Sequence, residues 1–258
     1  FDHSKQFLSA TRQSNGSYKV SYSIQVCNLG GASGNYSLND RPAFDDDVNI
    51  NSVSFTRNFN LPGTTLSPVP PPNGWVLANN LSMAAGGCDN YVLEFNISID
   101  LSPGSRGDNQ YRACGSSSIT PKSGEGLFNE SLLDLNQDGV PDQRDTACRD
   151  IPFIVHEKRF IRADQMPDQS YNVEYQIQVC NQGGLSGQYD LYDKPDMDDD
   201  VIIRSVSYFS SVHSNTNLSL PVPVQGWQVA NDVFLAPNSC HTYTIRFNLS
   251  IDLGPGTT

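Results

Sequence analysis

The chain has 258 residues, with 28 acidic against 16 basic side chains and a formal net charge of −12 at pH 7. Such a polyanion repels phosphate backbones and anionic lipid, so we expect no nucleic-acid partner and no binding to membranes through basic patches. No apolar run approaches the roughly 20 residues of a membrane-spanning helix, so we expect no direct membrane insertion. The sequence starts at Phe1 without an initiator Met, and we therefore expect a processed or excised piece of a longer polypeptide.

The sequence is a tandem repeat. At an offset of 153 residues, 25 of the 38 positions in residues 17–54 are identical to their counterparts in the second half. One residue is lost in a Pro-rich loop, after which an offset of 152 aligns Gly74 and Trp75 with Gly226 and Trp227. A period of this length is typical of tandem domains and too long for a solenoid unit.

Apolar and polar residues alternate in both copies, which is the pattern of a β-strand with one buried face. The pattern covers residues 18–26 and 91–101 in the first copy and residues 171–179 and 243–253 in the second. Clusters of Gly, Pro, Asn and Ser separate the strands as turns or loops. Two sheets that bury such faces against each other form a sandwich, so the sequence predicts an all-β fold.

Six cysteines follow the repeat, because two of them occupy equivalent positions in each copy and two lie in the joining segment. The economical pairs are Cys27 with Cys88, Cys180 with Cys240, and Cys114 with Cys148. Other connectivities are open to six cysteines, but the antiparallel second and fifth strands of an immunoglobulin-like sandwich favour this one. Disulfides indicate an oxidising, extracellular location. A zinc site is the alternative, and it would need Cys-x-x-Cys spacing that the sequence lacks.

An acidic segment joins the copies, with the sequence Asp-Leu-Asn-Gln-Asp-Gly-Val-Pro-Asp-Gln-Arg-Asp at residues 134–145. Oxygen side chains at positions one, three, five, nine and twelve, with Gly at six, suit a hard cation. The spacing resembles calcium loops of thrombospondin type 3 repeats, dockerins and EF-hands. This resemblance implies Ca²⁺ as the cofactor, bound by Asp134, Asn136, Asp138, Asp142, Asp145 and the Val140 carbonyl. The alternative is an acidic, solvated turn.

Three consecutive aspartates follow a proline in each copy. They are Asp45, Asp46 and Asp47 in the first copy, and Asp198, Asp199 and Asp200 in the second. Adjacent carboxylates repel one another unless something neutralises them, so the triplets are candidate second metal sites, with a hydrated turn as the alternative. Neighbouring residues of an extended chain point to opposite faces, so one ion could bind all three only at a tight turn.

No catalytic constellation stands out, because the sequence has no nucleophile elbow, zinc-protease motif, P-loop or dinucleotide fingerprint. We therefore expect no enzyme. Trp75 and Trp227 follow a Pro-rich loop and could form a sugar-stacking platform, but a repeated Gly-Trp is more often a core plug at the start of a strand.

The order of these signals resembles a known family. Each copy has a Lys-x-Phe strand (Lys5 and Phe7, Lys158 and Phe160) and then Tyr-x-Val-x-Tyr-x-Ile-x-Val-x-Asn-x-Gly-Gly. An Asp-x-Pro segment, a Ser-Val-Ser strand, a Gly-Trp strand and a long strand beginning at Tyr follow. This order is similar to the family called domain of unknown function eleven, whose immunoglobulin-like sandwiches stand in tandem along large bacterial surface proteins. The acidic joining segment resembles repeats of giant Bacteroidetes adhesins, including gliding-motility adhesins.

The resemblance implies an all-β fold of tandem immunoglobulin-like β-sandwich domains joined by a calcium-binding loop segment. We expect the first sandwich over residues 1–104 and the second over residues 153–258. Residues 105–152 would hold the last strand of the first repeat, at 111–116, and the disulfide-flanked calcium loop. The second copy stops before an equivalent last strand, so either the piece ends inside its second domain or the true unit begins near Ser105.

These features predict a non-enzymatic repeat segment of a secreted, cell-surface-anchored adhesin, in which calcium and disulfides stiffen a spacer that contributes to surface adhesion. Its partners would be neighbouring repeats of the same chain and, through the full-length protein, an extracellular surface or polysaccharide. The alternative is a carbohydrate-binding module that uses the Gly-Trp loops and the acidic triplets.

Overall fold

The computed structural model describes residues 1–58, 63–102, 104–115, 122–212 and 214–252. The chain divides into two compact units, Phe1–Ile151 and Pro152–Thr258, called here the first and the second unit. The described residues are all-β, since they form strands, turns and loops and no helix. This part of the chain accordingly has no helix that could cross a membrane.

The first unit has two antiparallel sheets. Its strands are β1 (Asp2–Arg12), β2 (Tyr18–Cys27), β3 (Gly34–Pro42), β4 (Val48–Arg57), β5 (Thr64–Leu66), β6 (Trp75–Met83), β7 (Cys88–Ile99), β8 (Asn129–Asp134) and β9 (Gln143–Ala147). One sheet has the order β1-β2-β7-β4-β5 and the other has the order β6-β3-β8-β9. Buried residues of both sheets form one core, an arrangement consistent with a β-sandwich.

The period-two pattern explains which side chains enter this core. Tyr22, Ile24 and Val26 of β2 are fully buried, whereas Lys19 and Gln25 point to solvent. Alternate residues of a strand lie on opposite faces, so the apolar set packs inward as the sequence predicts.

The second unit repeats the larger sheet. Its strands are β10 (Ile154–Gln165), β11 (Tyr171–Asn181), β12 (Gly187–Asp193), β13 (Val201–Ser210), β14 (Thr216–Leu218), β15 (Trp227–Leu235) and β16 (Ser239–Ile251). The larger sheet has the order β10-β11-β16-β13-β14, and β12 pairs with β15 in a two-stranded sheet. Even the register irregularities recur, between Phe7 and Ser9 of β1 and between Phe160 and Arg162 of β10.

Three disulfides join the pairs that the repeat suggests, namely Cys27–Cys88, Cys114–Cys148 and Cys180–Cys240. In each unit one bridge links directly opposed residues of neighbouring strands, β2 with β7 and β11 with β16. Their Cα atoms are 4.1 Å apart in both units. Three disulfides indicate an oxidising, extracellular or periplasmic environment.

The segment expected to be the last strand of the first repeat, residues 111–116, is not a strand over its described part, 111–115. The reason is that carboxylates accept its backbone N–H groups. Arg112 N–H donates to Asp45 at 2.9 Å and Cys114 N–H donates to Asp150 at 3.0 Å. It is β8 that pairs with β3 in the smaller sheet.

A buried ion pair joins the two sheets of the first unit. Lys5 of β1 donates to Asp40 of β3, and both side chains are fully shielded from solvent. The second Asp40 oxygen accepts from the Asn129 amide of β8 at 3.1 Å. Burial lowers the pKa of Lys5 and raises the pKa of Asp40, while their mutual attraction opposes both shifts. Each charge therefore depends on its partner to stay buried.

Lys5→Met should destabilise the first unit by about 3–5 kcal/mol, because Asp40 would remain as a buried charge without compensation. Its counterpart Lys158 also pairs with Asp193, but the Lys158 side chain is 33% exposed. Lys158→Met should therefore cost the second unit clearly less. Denaturant unfolding followed by unit-specific hydrogen exchange measures both losses, and equal losses would contradict this account.

The glycine before each core tryptophan is required by the backbone. Gly74 has a φ of +81°, and a Cβ there would lie 2.4 Å from the Asp40 carbonyl oxygen. Its counterpart Gly226 has a φ of +86° and would meet the Asp193 carbonyl oxygen at 2.5 Å. The chain passes so close to β3 and β12 at these turns that a side chain has no room.

Gly74→Ala should lower the free energy of unfolding of the first unit by more than the roughly 1 kcal/mol that a left-handed residue alone costs. Gly86→Ala is the matched control, because Gly86 also has a positive φ, +73°, but a Cβ there would meet nothing within 4 Å. Urea unfolding of the two variants measures the difference. If Gly86→Ala were as damaging as Gly74→Ala, the close approach to Asp40 would not be the cause.

Candidate metal centre

The first aspartate triplet lies at the tight turn that a shared cation would require. Asp45 begins the turn after β3, where Val48 N–H donates to the Asp45 carbonyl at 3.0 Å and Asp47 N–H donates to the Asp45 carboxylate at 3.1 Å. One carboxylate oxygen from each of Asp45, Asp46 and Asp47 lies within 4.8 Å of the others. Asp45 and Asp47 are each only 1% exposed, while Asp46 is open to solvent. This geometry could hold a metal ion.

A second segment of the first unit encloses the triplet. Asn109 N–H donates to Asp47 Oδ1 at 3.1 Å, and Arg112 N–H donates to Asp45 Oδ2 at 2.9 Å. Gly107 packs so closely that a Cβ there would lie 2.1 Å from Asp47 Oδ1. We call residues 104–115 the clamp segment. Sequence reasoning missed it, because its contacts use backbone N–H groups, which any residue except proline possesses.

One buried oxygen of the triplet lacks a hydrogen-bond partner among the described residues. Asp47 Oδ2 accepts no hydrogen bond from this part of the chain, although the residue is almost completely buried. A buried polar atom without a partner is costly and calls for an explanation, such as an ion or water. A divalent cation beside Asp47 would supply this partner and would offset the repulsion among the three carboxylates. The residues therefore fit a hard cation with oxygen ligands.

The electrostatics of the triplet favour a cation as well. Burial raises the pKa of Asp45 to about 6. The backbone N–H groups of Arg112 and Asp47 lower this pKa, whereas the negative charges of Asp46 and Asp47 raise it further. Burial also raises the pKa of Asp47. In the unfolded chain these carboxyl groups lose their protons at a lower pH than in the folded chain. Without a cation, the free energy of unfolding therefore falls as the pH rises from about 4 to about 6.

The second triplet has the same turn in a more open setting. Val201 N–H donates to the Asp198 carbonyl at 3.0 Å, and Asp200 N–H donates to the Asp198 carboxylate at 3.1 Å. The three carboxylates again lie within 4.8 Å of one another, but Asp198 and Asp199 are exposed. Asp200 Oδ1, at the position equivalent to Asp47, is also buried and has no hydrogen-bond partner in the described part of the chain. The third aspartate of both triplets therefore has one buried oxygen that accepts no hydrogen bond from the described residues.

The predicted calcium loop lies between β8 and β9. Of its six predicted ligands, Asp134 ends β8, Asp145 lies in β9, and Asn136, Asp138, Val140 and Asp142 lie in the exposed loop. Asp134 caps the loop by accepting N–H groups of Gln137 at 2.7 Å and Gly139 at 3.0 Å. Asp138 accepts Val140 N–H at 2.7 Å, and Asp142 accepts Leu135 N–H at 2.7 Å.

Asp145 points away from this loop. Its carboxylate accepts the backbone N–H of Lys5 in β1 at 2.6 Å. Among the residues that the structure describes, only the two aspartate triplets gather three acidic, His or Cys ligand groups within 4.8 Å. The loop carboxylates therefore hold the turn of a β-hairpin, and calcium binding by this loop stays a prediction. The first triplet is the better candidate metal centre.

The Gly-Trp motifs do not form a sugar platform. Trp75 and Trp227 are only 4% and 3% exposed and belong to the cores of their units. Their indole N–H groups donate to the carbonyls of Ser67 at 3.0 Å and Ser219 at 2.7 Å. A ring must be accessible for a sugar to stack on it, so the sugar-contact interpretation of these two residues is wrong and the core-plug interpretation holds.

Comparisons with known proteins leave the function open. The sequence matches no protein-family model, and no curated protein matches it. One similar solved structure is a GH2 β-galacturonidase from Eisenbergiella tayi bound to galacturonate, at 11% identity and a TM-score of 0.20; the match covers 88% of this chain and only 28% of that one. Another is an anti-sigma factor domain-containing protein, at 9% identity and a TM-score of 0.21, with 90% and 75% covered. Similarity this weak supports no argument about fold or activity.

The melting temperature of the first unit should be higher in millimolar calcium than in excess chelator, and Asp47→Asn should abolish this difference. Linkage supplies about 2.7 kcal/mol when free calcium is a hundredfold above its Kd. Asp138→Ala is the comparison variant, because it removes a loop carboxylate and leaves the triplet intact. Thermal unfolding and calorimetric titration measure both. Loss of the rise in Asp138→Ala, with Asp47→Asn unaffected, would place the ion in the hairpin loop instead.

Proposed function

We propose that this chain is a non-enzymatic repeat segment of a secreted, cell-surface-anchored adhesin, and that its two units act as a spacer stiffened by disulfides and a divalent cation. The observation that carries the proposal is the duplication of one strand order together with its disulfide. The order β1-β2-β7-β4-β5 recurs as β10-β11-β16-β13-β14. Tandem units with the same strand order suit a spacer, because each added unit lengthens the protein with the same folded structure.

The position of the disulfides supports a mechanical role. Cys27 and Cys88 close a separation of 61 residues in the first unit, and Cys180 and Cys240 close 60 residues in the second. Each bridge joins strands in the middle of the larger sheet. A unit pulled by its ends can therefore release only the chain outside the bridge. Such a limit on extension is useful for a protein that carries load at a cell surface.

The candidate metal centre would add a second restraint. A cation held by Asp45 and Asp47 would tie the turn after β3 to the clamp segment, which ends at the Cys114–Cys148 bridge. We propose calcium as the ion, because Ca²⁺ is coordinated by carboxylate oxygens with variable geometry and is bound by many extracellular modules. The extracellular partners, whether a surface or a polysaccharide, would bind elsewhere in the full-length protein, and neighbouring repeats would continue the spacer.

The alternative function, carbohydrate binding, has no support from Trp75 and Trp227, since both rings are buried and cannot stack on a sugar. The acidic triplets remain its candidate contacts, because a bound cation with open coordination positions would also take hydroxyl oxygens of a sugar as ligands. A glycan array with the intact chain separates the two functions. The spacer proposal expects no specific glycan binding.

Single-molecule pulling from the two ends tests the spacer proposal. After the first unit has unfolded, reduction of Cys27–Cys88 should lengthen the chain by about 210 Å, because 61 residues at about 3.4 Å each become free. The unfolding force of this unit should fall in chelator, and Asp47→Asn should show the lower force in calcium as well. Reduction after unfolding avoids any effect of a missing disulfide on folding.

Two results would overturn the proposal. One is saturable binding of a specific glycan by the folded chain, abolished by a substitution in either triplet. The other is an unfolding force that calcium leaves unchanged, together with an extension that reduction leaves unchanged.

A further inference from the structure

Three side chains with complementary chemistry meet in the interior of the first unit. Lys5 of β1 donates to Oδ1 of Asp40 in β3, and the Asn129 amide of β8 donates to Oδ2 of the same carboxyl group at 3.1 Å. Lys5 is only 4% exposed, and Asp40 and Asn129 are completely buried. One carboxyl group therefore holds an amine and a carboxamide beside each other, away from water.

Burial favours a neutral lysine at this position. Lys5 Nζ lies 5.3 Å from the centre of the ring of Tyr22, which is itself fully buried and helps to exclude water. Burial lowers the pKa of Lys5 and raises the pKa of Asp40, while their mutual attraction opposes both shifts. Transfer of one proton from Lys5 to Asp40 removes two buried charges. It also leaves an uncharged amine, which is the nucleophilic form of lysine.

The carboxamide of Asn129 has an acceptor atom without a donor. Asn129 Oδ1 is buried and has no hydrogen-bond partner among the described residues. A buried polar atom of this kind calls for an explanation. Once protonated, Asp40 carries an O–H group beside this carboxamide. A donor at the amide oxygen would satisfy that oxygen, and it would also stabilise the negative charge that develops there when a nucleophile attacks the amide carbon.

We propose that Lys5 and Asn129 join in an intramolecular isopeptide bond, with Asp40 as the catalytic acid and base. The bond connects β1 of the larger sheet with β8 of the smaller one. The ion pair between Lys5 and Asp40 is the state that precedes the reaction. Each chain reacts once, so the reaction has no turnover and no external substrate.

The proposed step balances in atoms and in charge. Asp40 accepts a proton from Lys5 Nζ, and the neutral amine attacks Cγ of Asn129, so that the Nζ–Cγ bond forms. Asp40 then gives its proton to Nδ2 of Asn129 and takes the second proton from Nζ. The Cγ–Nδ2 bond breaks, and ammonia leaves. The products are a secondary amide, a neutral Asp40 and one ammonia, and no atom is oxidised or reduced.

The second unit contains an internal control for the identity of the electrophile. Lys158 pairs with Asp193 in the same way, but Asp193 Oδ2 has no hydrogen-bond partner among the described residues and therefore no amide beside it. An ionised carboxylate is a poor electrophile, so we expect no bond between Lys158 and Asp193. If lysine attacked the aspartate instead, both units would react, and each would release water rather than ammonia.

The bond changes how force passes through the first unit. Cys27 and Cys88 both lie between Lys5 and Asn129 in the chain, so the bond shields their loop from a pull on the two ends. The lengthening on reduction given above therefore applies to a chain without the bond, such as Asn129→Ala. The inference rests on the three buried side chains and does not depend on the spacer function or on the metal centre.

Mass spectrometry of the intact, reduced chain is the decisive test. The chain should be lighter than its sequence by about 17 Da, the mass of the ammonia that leaves. Trypsin should release residues 1–12 joined to residues 123–144, without cleavage after Lys5. A succinimide at Asn73, which precedes Gly74, would also lose ammonia, but it would join no two peptides.

Three variants assign the roles. Asn129→Ala keeps the ion pair and removes the carboxamide, whereas Asp40→Ala keeps both reacting groups and removes the acid and base. Both variants should have the full mass of their sequences and give separate peptides. Asp193→Ala is the matched control in the second unit, and it should retain the loss of ammonia and the joined peptides. Circular dichroism checks that the variants fold, and the mass of the unchanged chain tests the proposal even where a variant does not.

Four results would overturn the inference. The first is a reduced, unchanged chain with the full mass of its sequence. The second is a loss of about 18 Da, one water, with a link from Lys5 to Asp40. The third is a joined product that persists in Asn129→Ala. The fourth is a joined product that persists in Asp40→Ala, which would remove the catalytic role of Asp40.

Discussion

The buried ion pair between Lys5 and Asp40 is the constraint on which the rest of the first unit depends. Each charge costs several kcal/mol to remove from water, and only a well-placed partner with further hydrogen bonds offsets that cost. Lys5 belongs to one sheet and Asp40 to the other, and Asn129 of β8 completes the set. The pair is therefore satisfied only when both sheets and the hairpin are in register, so it specifies how the sandwich closes.

The second unit forms the same ion pair in a more exposed setting. Lys158 pairs with Asp193, but the lysine is partly exposed to solvent and one Asp193 oxygen has no hydrogen-bond partner among the described residues. The larger sheet and its disulfide are unchanged between the units. Within the described residues, the larger sheet therefore has the same strand order in both units, and β8 and β9 extend the smaller sheet of the first unit.

Carboxylates have two roles in the first unit. In the hairpin loop Asp134 caps backbone N–H groups and holds a tight turn. In the triplet Asp45 and Asp47 are enclosed by the clamp segment, and an oxygen is left over. The difference lies in the hydrogen bonds of the oxygens, since both Asp134 oxygens accept backbone N–H groups whereas Asp47 Oδ2 has no partner among the described residues, which favours the triplet as the candidate cation site. This is why the proposed restraint belongs at the triplet rather than in the loop with the better-known spacing.

The sequence was sufficient to predict the all-β character, the duplication and the inward faces of strands such as β2, and it favoured one pairing of the cysteines among several. These properties follow from alternation and spacing along the chain, which are local and therefore readable. Three features became evident from the folded chain alone. Residues 111–115 pack against Asp45 instead of forming a strand, Trp75 is inaccessible, and one Asp193 oxygen has no partner among the described residues. Each of these depends on which distant segment approaches, and backbone N–H groups, which make the decisive contacts at the triplet, have no signature in the sequence.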